Sequence, residues 1–492
     1  MDAILRYRTR IQAHPRYRWI VLATVLFGLF AVGFSFTILS TVLPQIDSEF
    51  GVNESVSHWV VTAPILVFGI AGPIVGKFGD IYGAKRPFLI GFGIATIFLL
   101  LTGFAWDIGS LILFRVVAAL EGAATGPCAV KYIAAHFDPE ERSKAFGWFS
   151  FVSAGAPTLG LFAGAAIVPV LGWRAIFFIQ APMCAVALLF AWVILDDTEA
   201  RPDVRVHVPG AILLGAAAFC GLFALNLGVA SGWTRTLYLM VAANPVLLAA
   251  FVWSQKRTDH PLFPLRYFRR RNFTLSLLSS TLVNFAYLGG FIIAPFLLAD
   301  LLGLDQRQTL AVLVSRPLAF TVVAIGAGYA VARVGERVGA VFGAAAIATA
   351  MVMLAGVGES GPVVLVICGL ATAGVGLGFC QPSLNTASVN AMDLEDQAVA
   401  GGMAASVQSI GAALGNVVLV GIVRSGLPPG TTTADAAPSV LRSAFGEAYL
   451  VGAIVALAAV LVSVGIRRTP RTVAEAEPHL PDVEVVETGE LI

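Results

Sequence analysis

Runs of about twenty apolar residues, separated by charged or Pro/Gly-rich breaks, recur from residue 19 to residue 466. At about 1.5 Å of rise per residue, one such run as a helix spans the ~30 Å hydrocarbon core of a bilayer. Lipid offers no hydrogen bonds, so a run of this kind must satisfy its backbone internally, which a helix does. The chain is 58% hydrophobic and 12% charged, against roughly 25% charged in soluble domains. A soluble enzyme is therefore excluded as the starting assumption, and the chain reads as an all-α polytopic membrane protein.

Fourteen runs are placed near 19–43, 58–76, 87–105, 110–130, 146–170, 174–195, 209–230, 236–255, 273–298, 308–332, 339–357, 362–386, 399–423 and 444–466. Basic residues mark cytoplasmic loops, and here every second loop is basic. Arg16 and Arg18 precede the first run, Lys77, Lys85 and Arg86 follow the second, and Arg142 and Lys144 follow the fourth. Arg266, Arg269, Arg270 and Arg271 follow the eighth, and Arg467 and Arg468 the fourteenth. The alternate loops hold Asp47 and Glu49, Asp107, or Glu359. An even number of spans with both termini cytoplasmic fits this pattern. The basic arm before residue 19 does not read as a secretory leader, because the run after it is too long and no small-residue cleavage site follows.

The net charge is +1, and most charges fall in loops without clustering on one face, which predicts no nucleic-acid partner. The five cysteines lie within apolar runs without CxxC spacing, so they read as packing residues and not as metal ligands. No cofactor or metal motif is present. Only five of the 31 basic residues are lysine, which points to a GC-rich bacterial source and an inner-membrane location.

The chain repeats itself. GKFGDIYGAKR (76–86) lies over GYAVARVGERVG (328–339), matching Gly76 with Gly328, Gly83 with Gly335 and Lys85 with Arg337. SAGAPTLG from Ser153 matches SIGAALG from Ser409. Two six-span halves with two helices inserted between them follow: 1–195, an inserted segment 196–271, 272–466, and an acidic tail 467–492 expected to be disordered. Paired halves suit alternating access around a site near the bilayer midplane.

GKFGDIYGAKRPF resembles the signature loop of the major facilitator superfamily, between its second and third helices. The matching positions are Gly76, Asp80, Gly83, Lys85 and Arg86. Glycines let helix ends approach, and a carboxylate stabilises a helix N-terminus in the opposite half. The resemblance implies the major facilitator fold and a cytoplasmic gate at these residues. PLFPLRYFRRRNF (261–273), WRAIFFIQAP (173–182) and GAPTLGLFAG (155–164) resemble the fourteen-span branch of drug:proton antiporters. In that branch the last stretch is an antiporter motif; small residues let membrane helices approach, so Gly155, Pro157, Gly160 and Gly164 are expected to serve helix packing, with a direct substrate role as the other reading. Ala156 stands where glycine is usual.

Other positions depart from the branch. Ser35 occupies the place of the usual first-span acid, and Gln180 replaces a commoner Asn. In the fourth span Arg115 matches the family, whereas Glu121 stands where glycine is usual. Six residues separate them, roughly 120° around and about 9 Å along a helix, so each needs its own partner. A charge in a span costs about 2.5–3.5 kcal/mol and is normally turned inward. A carboxyl removed from water is readily neutralised, so Glu121 is the expected proton site, with a packed, hydrogen-bonded Glu as the plainer account. Arg316, about 12 Å into the tenth span, and Arg115 are expected to make the substrate cavity positive and to favour acidic or zwitterionic amphiphiles. For both, a structural pairing or a snorkelling position weighs about equally. Ser35, Asn284, Tyr287, Gln381 and Asn385 are expected to line the same cavity or to bond between helices. The acidic loop Asp393, Glu395 and Asp396 is expected either to pair with Lys85 and Arg86 on closure or to be a solvated helix start.

The reading is a secondary carrier that exports small amphiphiles in exchange for protons, a monomer in the lipid bilayer. A metabolite or lipid-precursor exporter, an uncoupled facilitator, and a transporter-like sensor or scaffold stay open beside it. An intramembrane enzyme is disfavoured, since no nucleophile–base set or His/Glu metal spacing appears.

Overall fold

The computed structural model describes residues 10–35, 38–52, 54–57, 59–198, 207–231, 234–258, 261, 265–358, 361–393, 396–428, 433 and 436–467. Every regular element among them is helical. In chain order these are α1 (Tyr17–Gly33), α2 (Ile38–Phe50), α3 (Trp59–Tyr82), α4 (Lys85–Gly103), α5 (Ile108–Ala118) and α6 (Leu120–His136). There follow α7 (Arg142–Leu171), α8 (Arg174–Ile194), α9 (Val208–Ser231), α10 (Arg235–Lys256), α11 (Arg271–Phe296) and α12 (Gln306–Leu313). The last are α13 (Ser315–Val334), α14 (Glu336–Ala355), α15 (Val363–Asn390), α16 (Gln397–Ser425) and α17 (Pro438–Val464). Short turns at Glu54–Ser57, Leu265–Arg269 and Leu297–Leu301 complete the set.

Eleven helices among the described residues are long and apolar enough to cross a membrane, or twelve if the two parts of α3 count as one. Here α5 with α6, and α12 with α13, each act as one span, Ile108–His136 and Gln306–Val334. The two parts of α3, Trp59–Gly72 and Ile74–Tyr82, meet at 46°. Pro73 between them has no N–H to continue the ladder, the ordinary cause of such a kink. Tyr17–Gly33 and Val208–Gly221 are shorter apolar helices.

Local chemistry sets the helix ends. Asp107 and Ser110 cap α5 reciprocally, with Ser110 N–H donating to Asp107 Oδ1 at 2.6 Å, and Asp305 with Gln308 does the same for α12. Each reciprocal cap satisfies two backbone donors that the helix leaves open. Gly83 and Gly335 turn the chain at φ +81° and +97°, a region that side chains with a Cβ avoid. The two glycines matched in the repeat thus do the same job in each half.

Two cores form. One joins buried residues from Val21 to Leu195, with Phe88, Phe92, Trp173 and Phe177 at its centre. The other runs from Val283 to Ile466 and takes in only Ala154 from the first part of the chain. The halves meet along two seams, α3 against α16 and α7 against α13. On α7 and α13, Gly147 and Gly328 face each other so closely that a Cβ on Gly328 would lie 2.7 Å from Gly147 Cα. The inserted helices α9 and α10 pack on one another, and α9 also touches both α3 and α16.

The repeat extends into the packing. A side chain at Gly160 would overlap the backbone carbonyl of Phe34, and one at Gly415 that of Phe285. So α7 grips α1 at the equivalent point to where α16 grips α11. Ala156 is fully buried, and its methyl occupies the space that Gly33 leaves open.

Candidate functional site

A cavity of about 490 Å³ lies between the halves, within the range of small-molecule sites. Its N-half wall comes from α1, α3, α6 and α7 and is apolar apart from Ser153; Val32, Phe68 and Phe149 give most of its bulk. The C-half wall carries five carboxamides, Asn284 on α11, Gln381 and Asn385 on α15, and Gln408 and Asn416 on α16. Residues 381 and 385, and 408, 412 and 416, recur every four positions, which keeps each set on one helix face. Ser153 and Ser409, matched in the repeat, both line the cavity.

Glu121 lies in a smaller pocket of about 40 Å³ beside this cavity, with Arg115, Ser35 and Gln180. Val32, Phe68 and Gly122 belong to the walls of both volumes. Glu121 is 3% exposed and accepts a weak hydrogen bond from Cys184 Sγ at 3.7 Å. The Arg115 guanidinium lies 5.5 Å from the Phe177 ring centre, and its buried Nε has no hydrogen-bond partner among the described residues. The helix is interrupted at Ala119, between the two charges. Gln180 Nε2 donates to the carbonyl of Ala31 at 2.8 Å, which ties α8 to α1 beside Ser35.

The expected electropositive cavity is not what the wall presents. Among the described residues that line it there is no Asp, Glu, Lys, Arg or His. Arg316 is instead turned into the C half, 4.0 Å from the Tyr287 ring centre and 3.5 Å from that of Phe291. One of its amino groups donates to the carbonyl of Tyr287 at 3.0 Å, and neither Arg316 nor Tyr287 lines the cavity. Two aromatic faces offer a buried guanidinium a favourable site without a carboxylate, and that holds it away from the open space. Of the residues expected there, Asn284, Gln381 and Asn385 line the large cavity, and Ser35 and Arg115 the small pocket.

Next to the cavity, α3 of one half meets α16 of the other. Asp80, 3% exposed, accepts the backbone N–H groups of Ala398 and Val399 at 3.1 and 3.0 Å. These are free donors of the first turn of α16, where a negative charge is also favoured by the helix dipole. Lys131 Nζ lies 3.3 Å from Asp80 Oδ1 and donates to the carbonyl of Gly79. A Cβ on Gly76 would sit 2.8 Å from the Ala398 carbonyl oxygen, so only glycine permits this approach.

The acidic loop has other partners than those expected. Asp396 is joined by Lys77 at 3.3 Å and by the Tyr267 hydroxyl at 2.8 Å. Asp393 takes Arg270 at 2.9 Å, Arg266 at 3.1 Å and Tyr267 at 2.9 Å. Burial works to raise the Asp393 carboxyl, but hydrogen bonds from Arg270 and Tyr267 and the two arginine charges hold it below its ordinary value. Lys85 reaches into its own half and donates to the carbonyl of Leu195, and Arg86 is exposed. Glu395 lies outside the described residues. A second cross-half set joins Arg142 to Asn390 at 2.6 Å and Ser143 to Thr386 at 3.1 Å. Lys77, Lys131, Arg142 and Tyr267 escaped the sequence reading as gate residues. Lys131, a charge at the very end of the fourth apolar run, was the available signal.

The family profile described as Major Facilitator Superfamily matches residues 25–416. The chain is 30% identical over 428 residues to the puromycin resistance protein pur8 of Streptomyces alboniger, covering 84% of this chain and 82% of that one. It is 27% identical over 404 residues to the tetracenomycin C resistance and export protein of Streptomyces glaucescens, covering 82% and 75%. It is 26% identical over 402 residues to the multidrug resistance protein Stp of Mycobacterium tuberculosis, covering 81% and 75%. Among solved structures, the human organic anion transporter MFSD10 (TETRAN) superposes with a TM-score of 0.66 at 16% identity, over 92% of this chain and 100% of that one. The proton:xylose symporter XylE superposes with a TM-score of 0.65 at 12% identity, over 90% and 94%.

Proposed function

The chain belongs to the Major Facilitator Superfamily, as a transporter of drug-efflux type and not an enzyme, and we propose that it exports small amphiphilic compounds in exchange for protons by alternating access. The observation that carries this is a cavity between the halves, latched at one end by Asp80, with the buried Glu121 in a pocket that shares its wall. The relatives named for puromycin and tetracenomycin C resistance support efflux as the direction.

In this reading Glu121 holds the proton. Ionised, it balances the Arg115 charge; protonated, it leaves that charge uncompensated in a pocket of low dielectric. Gly122, next in the chain, forms part of the cavity wall, so a shift of α6 in response to the proton reaches the cargo directly. Release of Asp80 from the α16 N-terminus then frees the latched end. The latch face is the cytoplasmic one, because Arg16, Lys77, Arg142, Arg266 and Arg270 belong to its loops or helix ends. The same reading has fourteen spans, both termini cytoplasmic, six-helix bundles at 1–195 and 272–466, the inserted pair within 196–271, and a monomer in a bacterial inner membrane.

Proteoliposomes loaded with puromycin or tetracenomycin C and given a pH gradient test it. Wild-type protein is expected to move one of these against its concentration, and Glu121→Gln to lose the dependence on the gradient. Gradient-driven flux that persists in Glu121→Gln refutes the proton assignment.

A further inference from the structure

We infer that the cavity selects uncharged molecules with one flat apolar face and one hydrogen-bonding edge, and discriminates against permanent cations and anions. The inference rests on reading this cavity as the transport site, and it names the class of cargo.

The wall divides by chemistry along the boundary between the halves. Phe68, Phe149 and Val32 offer a surface that an aromatic or alicyclic face would cover. Opposite them stand Asn284, Gln381, Asn385, Gln408 and Asn416. A carboxamide both donates and accepts, so this edge meets carbonyls, hydroxyls and amides alike but cannot neutralise a charge.

Partner counting supports a ligand on that edge. Among the described residues nothing donates to the buried amide oxygens of Gln381 and Asn416, although buried polar atoms are almost always partnered. Asn284 differs, since its Nδ2 donates to the carbonyl of Ser280 at 2.8 Å. Gln381, Asn385 and Gln408 also enclose a space of about 10 Å³ with Asn284, so four of the five amides converge on one spot.

The charges nearby do not alter the conclusion. Glu121 and Arg115 sit together in the adjoining pocket, and Arg316 is held between Tyr287 and Phe291. An ion entering the cavity would lose its water and gain no counter-ion from the wall, and that penalty falls on cations and anions alike. An uncharged molecule of the same shape escapes it. Here the anionic preference expected from the two arginines gives way to a preference for neutrality.

The test is binding to the full chain in lipid nanodiscs, without a gradient. The probes are three anthracene compounds alike in their ring system: 9-anthracenecarboxamide, 9-anthracenecarboxylate and 9-anthracenylmethyl-trimethylammonium. The carboxamide is expected to bind at least ~10-fold more tightly than either ion, equivalent to about 1.4 kcal/mol. Gln381→Leu with Asn385→Leu is expected to remove that advantage. Gln381→Glu, which keeps the shape and adds a charge, is expected to admit the trimethylammonium compound, with thermal unfolding confirming that each variant folds. Equal or tighter binding of either ion by wild-type protein, no binding of the carboxamide, or no effect of the leucine substitutions each overturns the inference. If the carboxamide binds as expected but no gradient drives flux, the transport reading fails and only the binding selectivity of the cavity stands.

Discussion

The carboxylate of Asp80, on one half of the molecule, accepts the backbone N–H of Val399, on the other, at 3.0 Å. A backbone donor is removed only by proline, which also constrains the chain, so the acid is the simpler partner to test. Hydrogen bonds to a charged group contribute about 1.5–3 kcal/mol each. Asp80→Asn is expected to shift the ratio of latched to unlatched molecules roughly 10- to 100-fold toward unlatched. Spin-label distances between the ends of α3 and α16 measure it.

Lys77 and Arg86 are both basic and nine positions apart, but only Lys77 meets an acid of the other half, Asp396 at 3.3 Å. Lys77→Glu is expected to open the latch in the same distance measurement, because it sets two buried like charges together. Arg86→Glu, at an exposed position, is expected to leave the ratio within about 0.5 kcal/mol of wild type.

Gly160 and Gly415 make equivalent contacts, each against a carbonyl of a neighbouring helix. Alanine at either position overpacks the contact and is expected to cost about 1–3 kcal/mol. The sites lie in different halves, so the two losses should add to within about 0.5 kcal/mol. Thermal or denaturant unfolding in detergent tests both statements.

Asp393 is held below the ordinary carboxylate range by Arg270, Tyr267 and Arg266, against the opposing effect of burial. A group with a depressed folded value adds stability above its unfolded pKa, near 3.9, and loses it as pH falls through the lower folded value. Its contribution is thus constant across neutral and mildly acidic pH. Asp393→Asn should weaken unfolding stability by the same small amount, up to about 1 kcal/mol for so exposed a network, at any pH above about 5.5. A loss that itself changes between about pH 5.5 and 8 would contradict this assignment.

The helices were legible because lipid leaves an apolar run little else to form, although eleven or twelve described helices, against fourteen expected, are long and apolar enough to cross a membrane, and the run 19–43 covers two helices, α1 and α2. The repeat was legible where backbone geometry admits one residue, as at Gly83 and Gly335. Asp80 could be read from its motif, and the α16 N-terminus as its target follows from helix electrostatics. The choice of Lys77 over Lys85 was not legible. Both precede or follow the same turn, and only the crossing of α3 and α16 decides which reaches Asp396. The cavity's charge was hidden for a similar reason. Arg316 lies in an apolar span in either case, and its rotation toward Tyr287 and Phe291 depends on packing between α11 and α13.

Helix α9 bears on α3 and α16 together, with Trp59 stacked on Phe223 at 5.4 Å and Gly215 beside Ile70. A molecule whose halves pivot must open a slit where those two helices part, and acyl chains would invade an open slit or cargo would leak sideways into the bilayer. In the alternating-access reading proposed above, α9, resting on both lips, serves as a gasket that keeps the exit path in water.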